Sequence, residues 1–246
     1  MMQHATRVQK PAQIAPGETV QMPIGFAIYP RARKVSPELV ERFRSLPVAN
    51  VSDSMSRLTA AGPRLRPMHT AGVLAGPALT VRTRPGDNLM LHKAIDLAEP
   101  GDVIVVDGGG DLTNSLMGEM MLAHAIKRGV AGFVVNGSIR DADAIRVTNL
   151  PLFAAGVSHR GPYKNGPGEI NVVIAIDGMT IAPGDLVLGD ADGVLAVGYD
   201  DAEAVCKAAS AKHAAENKQM AEIAAGTSDR EWVNVSLRQL GCSGLD

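Results

Sequence analysis

Two adjacent opposite charges, Arg140 and Asp141, end the apolar run in FVVNGSIRDADAI, residues 133–145. The pair allows two readings. In one, Asp141 opens a helix near the positive end of its dipole, and Arg140 is a surface partner that contributes little stability. In the other, the charges have separate jobs. A guanidinium suits a small carboxylate or oxyanion, and a carboxylate beside it suits a hard divalent cation, which stops it repelling that anion. A second segment, Gly118, Glu119, Met120 and Met121, marks a helix start. The free N–H groups of such a start can hold a carboxylate, or Gly118 can simply let helix and sheet pack closely.

Other chemistries find less support. Glycines 108–110 are followed by neither the Lys-Ser/Thr of a phosphate loop nor a G-x-G-x-x-G spacing. Ser52, Ser54 and Ser56 lack a nucleophile elbow. The six histidines show no metal-ligand spacing, and His92 and His124, on expected helices, read as packing or surface residues. Asp190-Ala191-Asp192-Gly193 is too short for a calcium loop and reads as a hairpin turn. Cys206 and Cys242 suggest neither a disulfide framework nor a zinc site.

The elements that would position the charges follow from patterning. VIVVDGGG (103–110) and VAGFVVNG (130–137) are apolar runs suited to strands buried on both faces. Between them Leu116, Met120, Leu122, Ala123 and Ile126 fall on helical spacing, with Gly129 as the stop. RDADAIRV predicts a short helix after the second strand. This is a parallel βαβ unit, whose strands end at one sheet edge, where such sheets bind ligands. Gly118–Met121 and Arg140–Asp141 are thereby expected to face one space.

Upstream, SPELVERFRSL (36–46) has Ser36 as N-cap and Pro37 at the first helical position. ANVSDSMSRL (49–58) and NLMLHKAIDLA (88–98) predict helices, and VLAGPALTVRTR (73–84) a strand pair or bent strand. Residues 171–198 read as hairpins, 201–225 as a long helix, and REWVNVSLRQLG as a last helical segment. Pro-Gly-Asp recurs at 85, 100 and 183 as a turn meeting one backbone need. The chain divides into an arm (1–34), an α/β layered domain (35–226) and a helical tail (227–246).

A net charge of −2 gives no footprint for nucleic acid or an anionic membrane. No apolar run approaches the roughly 18 residues that span a bilayer, and the polar N-terminus lacks a signal-peptide core. The expected setting is cytoplasmic.

The segments ANVSDSMSR, GPALTVRT, AIDLAEPGDVIVVDGGG, RGVAGFVVNGSIRD, LPLFAAGVS and IAPGDLVLGDADGVLAV, with G118-E-M-M followed by R140-D141, resemble the RraA-like family over residues 36–226. That family includes class II, metal-dependent 4-hydroxy-4-methyl-2-oxoglutarate/4-carboxy-4-hydroxy-2-oxoadipate aldolases. The resemblance implies a swivelling β/β/α fold and a homotrimer or dimer of trimers. It implies that Gly118, Glu119, Met120 and Met121 hold a pyruvate carboxylate, that Arg140 binds the 2-oxo acid and stabilises its enolate, and that Asp141 holds Mg²⁺ or Mn²⁺. Oxaloacetate decarboxylation would pass through the same enolate. Glu216 matches an acid that the family supplies from a neighbouring subunit's C-terminal helix. Asp53 stands, with a shorter side chain, where aldolases often carry glutamate. The alternative implied by the same resemblance is a non-catalytic regulator binding ribonuclease E.

Overall fold

The computed structural model describes residues 24–148 and 150–244. Residues 1–23, the greater part of the expected arm, lie outside the described residues. The elements begin β1 (Phe26–Ile28), α1 (Pro37–Arg44), α2 (Val48–Ser54), β2 (Arg66–Pro67), β3 (Leu74–Thr83) and α3 (Leu89–Leu97). Next come β4 (Val103–Asp107), β5 (Ser115–Met117), α4 (Glu119–Lys127), β6 (Gly132–Ile139), α5 (Ala142–Arg146) and β7 (Leu152–Val157). The rest are β8 (Gly168–Ile170), β9 (Ile174–Ile176), β10 (Met179–Ile181), β11 (Leu186–Asp190), β12 (Gly193–Val197), α6 (Ala202–Ala224) and α7 (Glu231–Gln239).

The central sheet is parallel, as the apolar runs require: β3 pairs with β4, β4 with β6, and β6 with β7. Successive side chains of a strand point to opposite faces, so each run feeds two cores. Val103 and Val105 of β4, Val134 of β6 and Phe153 of β7 join the core under α1, α2, α6 and the β11–β12 hairpin. Ile104, Val106, Phe133, Val135 and Leu152 join the other core, under α3, α4 and α5. The result is a layered α/β domain with the swivelling β/β/α architecture.

Three local readings sharpen. The stretch 73–84 holds one continuous strand, Leu74–Thr83, whose first part pairs antiparallel with β11 and whose later part pairs parallel with β4. The helix expected across 111–129 starts only at Glu119; Leu116 lies in β5, and the buried face is Met121, Leu122 and Ala125. Met120, Ala123 and Ile126, expected on that face, are exposed, and Met120 lines a cavity instead. Residues 26–28, within the stretch read as an arm, add β1 to the sheet by pairing with β8.

The three Pro-Gly-Asp turns do share one design. Each glycine has positive φ (74°, 88° and 89°), which glycine adopts without steric cost. Each aspartate is buried and accepts backbone N–H groups: Asp87 from Leu89, Asn165 and Gly166, Asp102 from Glu99, Asp185 from Ala182 and Tyr199. At 190–193 the stretch is a hairpin turn; Asp190 accepts the Asp192 N–H and, through its other oxygen, the Val48 N–H that opens α2. Among the described residues no helix is long and apolar enough to cross a membrane.

Candidate active site

β4 and β6 end at one edge, and β5 extends that edge. β5 pairs in parallel with the end of β6, Ser115 opposite Ser138 and Met117 opposite Ile139. The Arg140 N–H then donates to the Met117 carbonyl at 2.9 Å. This register brings Gly118 against Arg140 and Asp141, so the two segments singled out in the sequence meet.

Asp141 has a left-handed backbone, φ 56° and ψ 39°, a conformation aspartate tolerates better than most residues. The turn swings its carboxylate onto the start of α4, where Oδ2 accepts the Glu119 N–H at 3.0 Å. A carboxylate is favourable there because the N–H groups lack intrahelical partners and the dipole is positive. One amide of the expected anion site is therefore occupied by the protein's own side chain. The N–H groups of Met120 and Met121 have no acceptor among the described residues.

Arg140 is left uncommitted. Its Nε lies 3.7 Å from Asp141 Oδ2, outside hydrogen-bond reach, so the pair is not a closed surface ion pair. Gly118, Glu119, Met120, Met121, Arg140 and Asp141 all line one cavity of about 430 Å³, a size typical of small-molecule sites. A basic group free to bind, two free amides and two carboxylates in one concavity suit a small organic anion together with a hard cation.

Gly118 is the residue this geometry cannot exchange. A Cβ there would collide with Asp141 Oδ2 and press on Arg140 Cγ at 3.1 Å. The colliding atom ends a movable side chain, so Gly118→Ala should leave thermal stability nearly unchanged while displacing both charged groups. Displacement of that kind costs about 10²-fold in rate. Comparison of turnover and melting temperature checks the split.

The cavity also contains residues that sequence reasoning passed over. Asn88, His92, His124 and Lys164 line its wall, although the two histidines read as packing or surface positions. Burial, and then the charge of Lys164, hold His92 below the usual histidine range. The signal lay in α3 and α4 covering the same sheet edge, which single-helix patterning does not reveal.

Asp53 and Glu216 do come together, but elsewhere. Neither lines the cavity. They sit on α2 and α6, over the opposite face of the sheet. Lys212 bridges them, 3.1 Å from Asp53 Oδ2 and 3.3 Å from Glu216 Oε1. Arg57 Nε lies 2.7 Å from Asp53 Oδ1, and Asn50 Nδ2 donates to Glu216 Oε2 at 2.6 Å. The Lys212 ammonium holds Asp53 below the usual carboxylate range, and the Asn50 amide does the same for Glu216. Lys212 is raised in turn, first by Asp53 and then by Glu216.

Residues 48–196 match the family described as RraA-like, Aldolase/RraA. The chain belongs to the RraA-like family. A relative from Halalkalibacterium halodurans, named "Putative 4-hydroxy-4-methyl-2-oxoglutarate aldolase", is 41% identical over 177 residues, spanning 72% of this chain and 84% of the relative. Among solved structures, an uncharacterized protein from Pseudomonas syringae pv. tomato superposes with TM-score 0.72 at 27% identity, covering 79% of this chain and 96% of that one. The RNA-processing inhibitor RraA from Thermus thermophilis superposes with TM-score 0.57 at 30% identity, covering 61% and 92%. This RraA-like chain extends beyond the matched region at both ends, and α7, which lies outside it, buries no residue.

Proposed function

We propose that this RraA-like protein is a divalent-metal-dependent lyase that cleaves a 2-oxo di- or tricarboxylic acid, of the 4-hydroxy-4-methyl-2-oxoglutarate type, to pyruvate. The observation that carries the reading is the uncommitted Arg140 beside Asp141 and the free amides of Met120 and Met121 in one cavity. The relative named as an aldolase supports it.

The donor set fits a cation of the Mg²⁺ or Mn²⁺ kind. Asp141 and Glu119 offer carboxylates, and no cluster of three or more His, Cys, Asp or Glu side chains suited to a metal occurs among the described residues. One or two carboxylates, completed by water and substrate oxygens, is how Mg²⁺ is ordinarily held. Bound there, such an ion supplies Lewis-acid polarisation of the 2-oxo group. The chain's own residues do the rest. The Met120 and Met121 N–H groups hold the C1 carboxylate, and Arg140 faces the C2 oxygen. As the C3–C4 bond breaks, its electron pair passes toward that oxygen, where the guanidinium stabilises the developing enolate charge. The C4 hydroxyl loses its proton and leaves as a ketone; C3 gains a proton to give pyruvate. Oxaloacetate decarboxylation would generate the same enolate with CO₂ as the departing group. We assign the proton transfers to Asp53 and Glu216 of a neighbouring copy in a homotrimer or dimer of trimers.

Pyruvate release from 4-hydroxy-4-methyl-2-oxoglutarate and from oxaloacetate, with and without added Mg²⁺ or Mn²⁺, tests the reading. Absence of pyruvate from both, in folded protein with metal, overturns it. The likeness to an RNA-processing inhibitor supports a second reading, a non-catalytic regulator that binds ribonuclease E. A direct binding measurement against that enzyme, repeated with Asp141→Asn, separates the two, because a docking surface has no need of the cavity carboxylate.

A further inference from the structure

Among the described residues, the side chains that meet Asp53 and Glu216 are all donors. Lys212 Nζ lies 3.1 Å from Asp53 Oδ2 and 3.3 Å from Glu216 Oε1. Arg57 Nε lies 2.7 Å from Asp53 Oδ1, and Asn50 Nδ2 donates to Glu216 Oε2 at 2.6 Å. Each of the four carboxylate oxygens thus faces an N–H group. Helix stability does not explain the arrangement. A lysine four residues before a glutamate is the weaker order of that pair, and part-exposed ion pairs contribute little. The end of α2 adds strain: Ser56 and Arg57 both take left-handed backbones, φ 58° and 60°, where a helix end ordinarily uses glycine. That turn brings the Arg57 guanidinium back onto Asp53. Strained backbone of this kind is concentrated at functional positions.

Two carboxylates this close to one nitrogen repel each other, and without the cation one of them would tend to hold a proton. Arg57 and Asn50 each touch one carboxylate; Lys212 touches both. We infer that Lys212 is a positioning residue that keeps Asp53 and Glu216 together as an ionised pair, so that the pair enters the cleavage as a base. The inference rests on the lyase reading and on the proton transfers assigned to that pair above. As the C3–C4 electron pair moves into the enolate, the C4 hydroxyl proton passes to a carboxylate oxygen of the pair. The same proton then returns to C3, and Lys212 keeps all of its own. Charges on the packed elements are engaged elsewhere. On α1, Arg42 pairs with Glu203 and Arg44 with Glu41; Asp190 of β11 accepts the Val48 N–H, and His213 of α6 is met by Asn217.

The pH dependence of kcat/KM for 4-hydroxy-4-methyl-2-oxoglutarate cleavage, measured on the full chain with Mg²⁺, provides the test. An ammonium favours the charged carboxylates, and a base works only while unprotonated, so activity is lost as pH falls through the titration of the pair. Removing Lys212 moves that loss to higher pH. Lys212→Met should fall by about tenfold on the acid limb and regain most of its rate at the alkaline end, with melting temperature and oligomer size unchanged. Lys212→Gln, which keeps a donor but not the charge, should move the limb in the same direction. Lys212→Arg restores the charge and should restore the limb. A loss equal at every pH in Lys212→Met and Lys212→Gln, or a limb that none of the variants moves, overturns the inference while the lyase reading stands. So does a limb displaced as far in Lys212→Arg as in Lys212→Met. Full activity in a double variant, Asp53→Asn with Glu216→Gln, overturns it together with the proton-transfer assignment. If the unaltered protein releases no pyruvate, the lyase reading fails first and the inference falls with it.

Discussion

Asp141→Asn is expected to abolish metal-stimulated pyruvate release, lowering kcat by about 10³-fold, somewhat beyond the loss of a single oxyanion donor, without unfolding the protein. Asparagine is the informative replacement because it tolerates the left-handed backbone at this position (φ 56°). Its side-chain carbonyl can still accept the Glu119 N–H that Asp141 Oδ2 accepts now. What it removes is the charge a hard cation requires. Alanine would add strain in the left-handed region and leave the Glu119 N–H bare, mixing a folding effect with a chemical one. Turnover with rising Mg²⁺, read against the melting temperature, decides the matter. Full activity in folded Asp141→Asn would show that no cation is held there.

The second large effect belongs to Arg140. Arg140→Met is expected to lower kcat by about 10²–10³-fold, the range for removing a positioned group that stabilises charge formed in the transition state. Few structural contacts are lost, because among the described residues the guanidinium's only ionic neighbour is Asp141 at 3.7 Å. Stability should therefore hold. Arg140→Lys should recover part of the rate but not all, since an ammonium is a point charge without the planar fork that engages two oxygens. Steady-state kinetics of both variants tests this; a change confined to KM would assign Arg140 to ground-state binding alone.

The site was half legible in the sequence, for a reason that can be located. Parallel strands linked by short helices finish at a common edge, so the apolar runs of β4 and β6 already implied that Gly118 and Arg140 converge. β5 carried no such signal. Three residues, Ser115 to Met117, cannot establish a period, and their pairing with β6 is what fixes the distance between the segments. Asn88 was not singled out and His92 was read as a packing or surface residue, because each looks ordinary on its own helix. Their meaning comes from α4 lying opposite. The bridge from Asp53 through Lys212 to Glu216 joins residues far apart in the chain, and no local rule relates them. β1 was hidden for the same reason: three residues placed by their pairing with β8.

The two cores on either side of the central sheet have a consequence for how the protein would behave on dilution. Arg140 and Asp141 lie at the edge over one core, whereas Asp53 and Glu216 stand over the other. If both sets serve one reaction, no isolated chain holds a complete set, and specific activity becomes a function of protein concentration. Assembly then acts as an obligatory activator, governed by mass action. Turnover per chain should fall together with the oligomer as the protein is diluted, and two inactive variants, Asp141→Asn and Glu216→Gln, should regain activity when mixed.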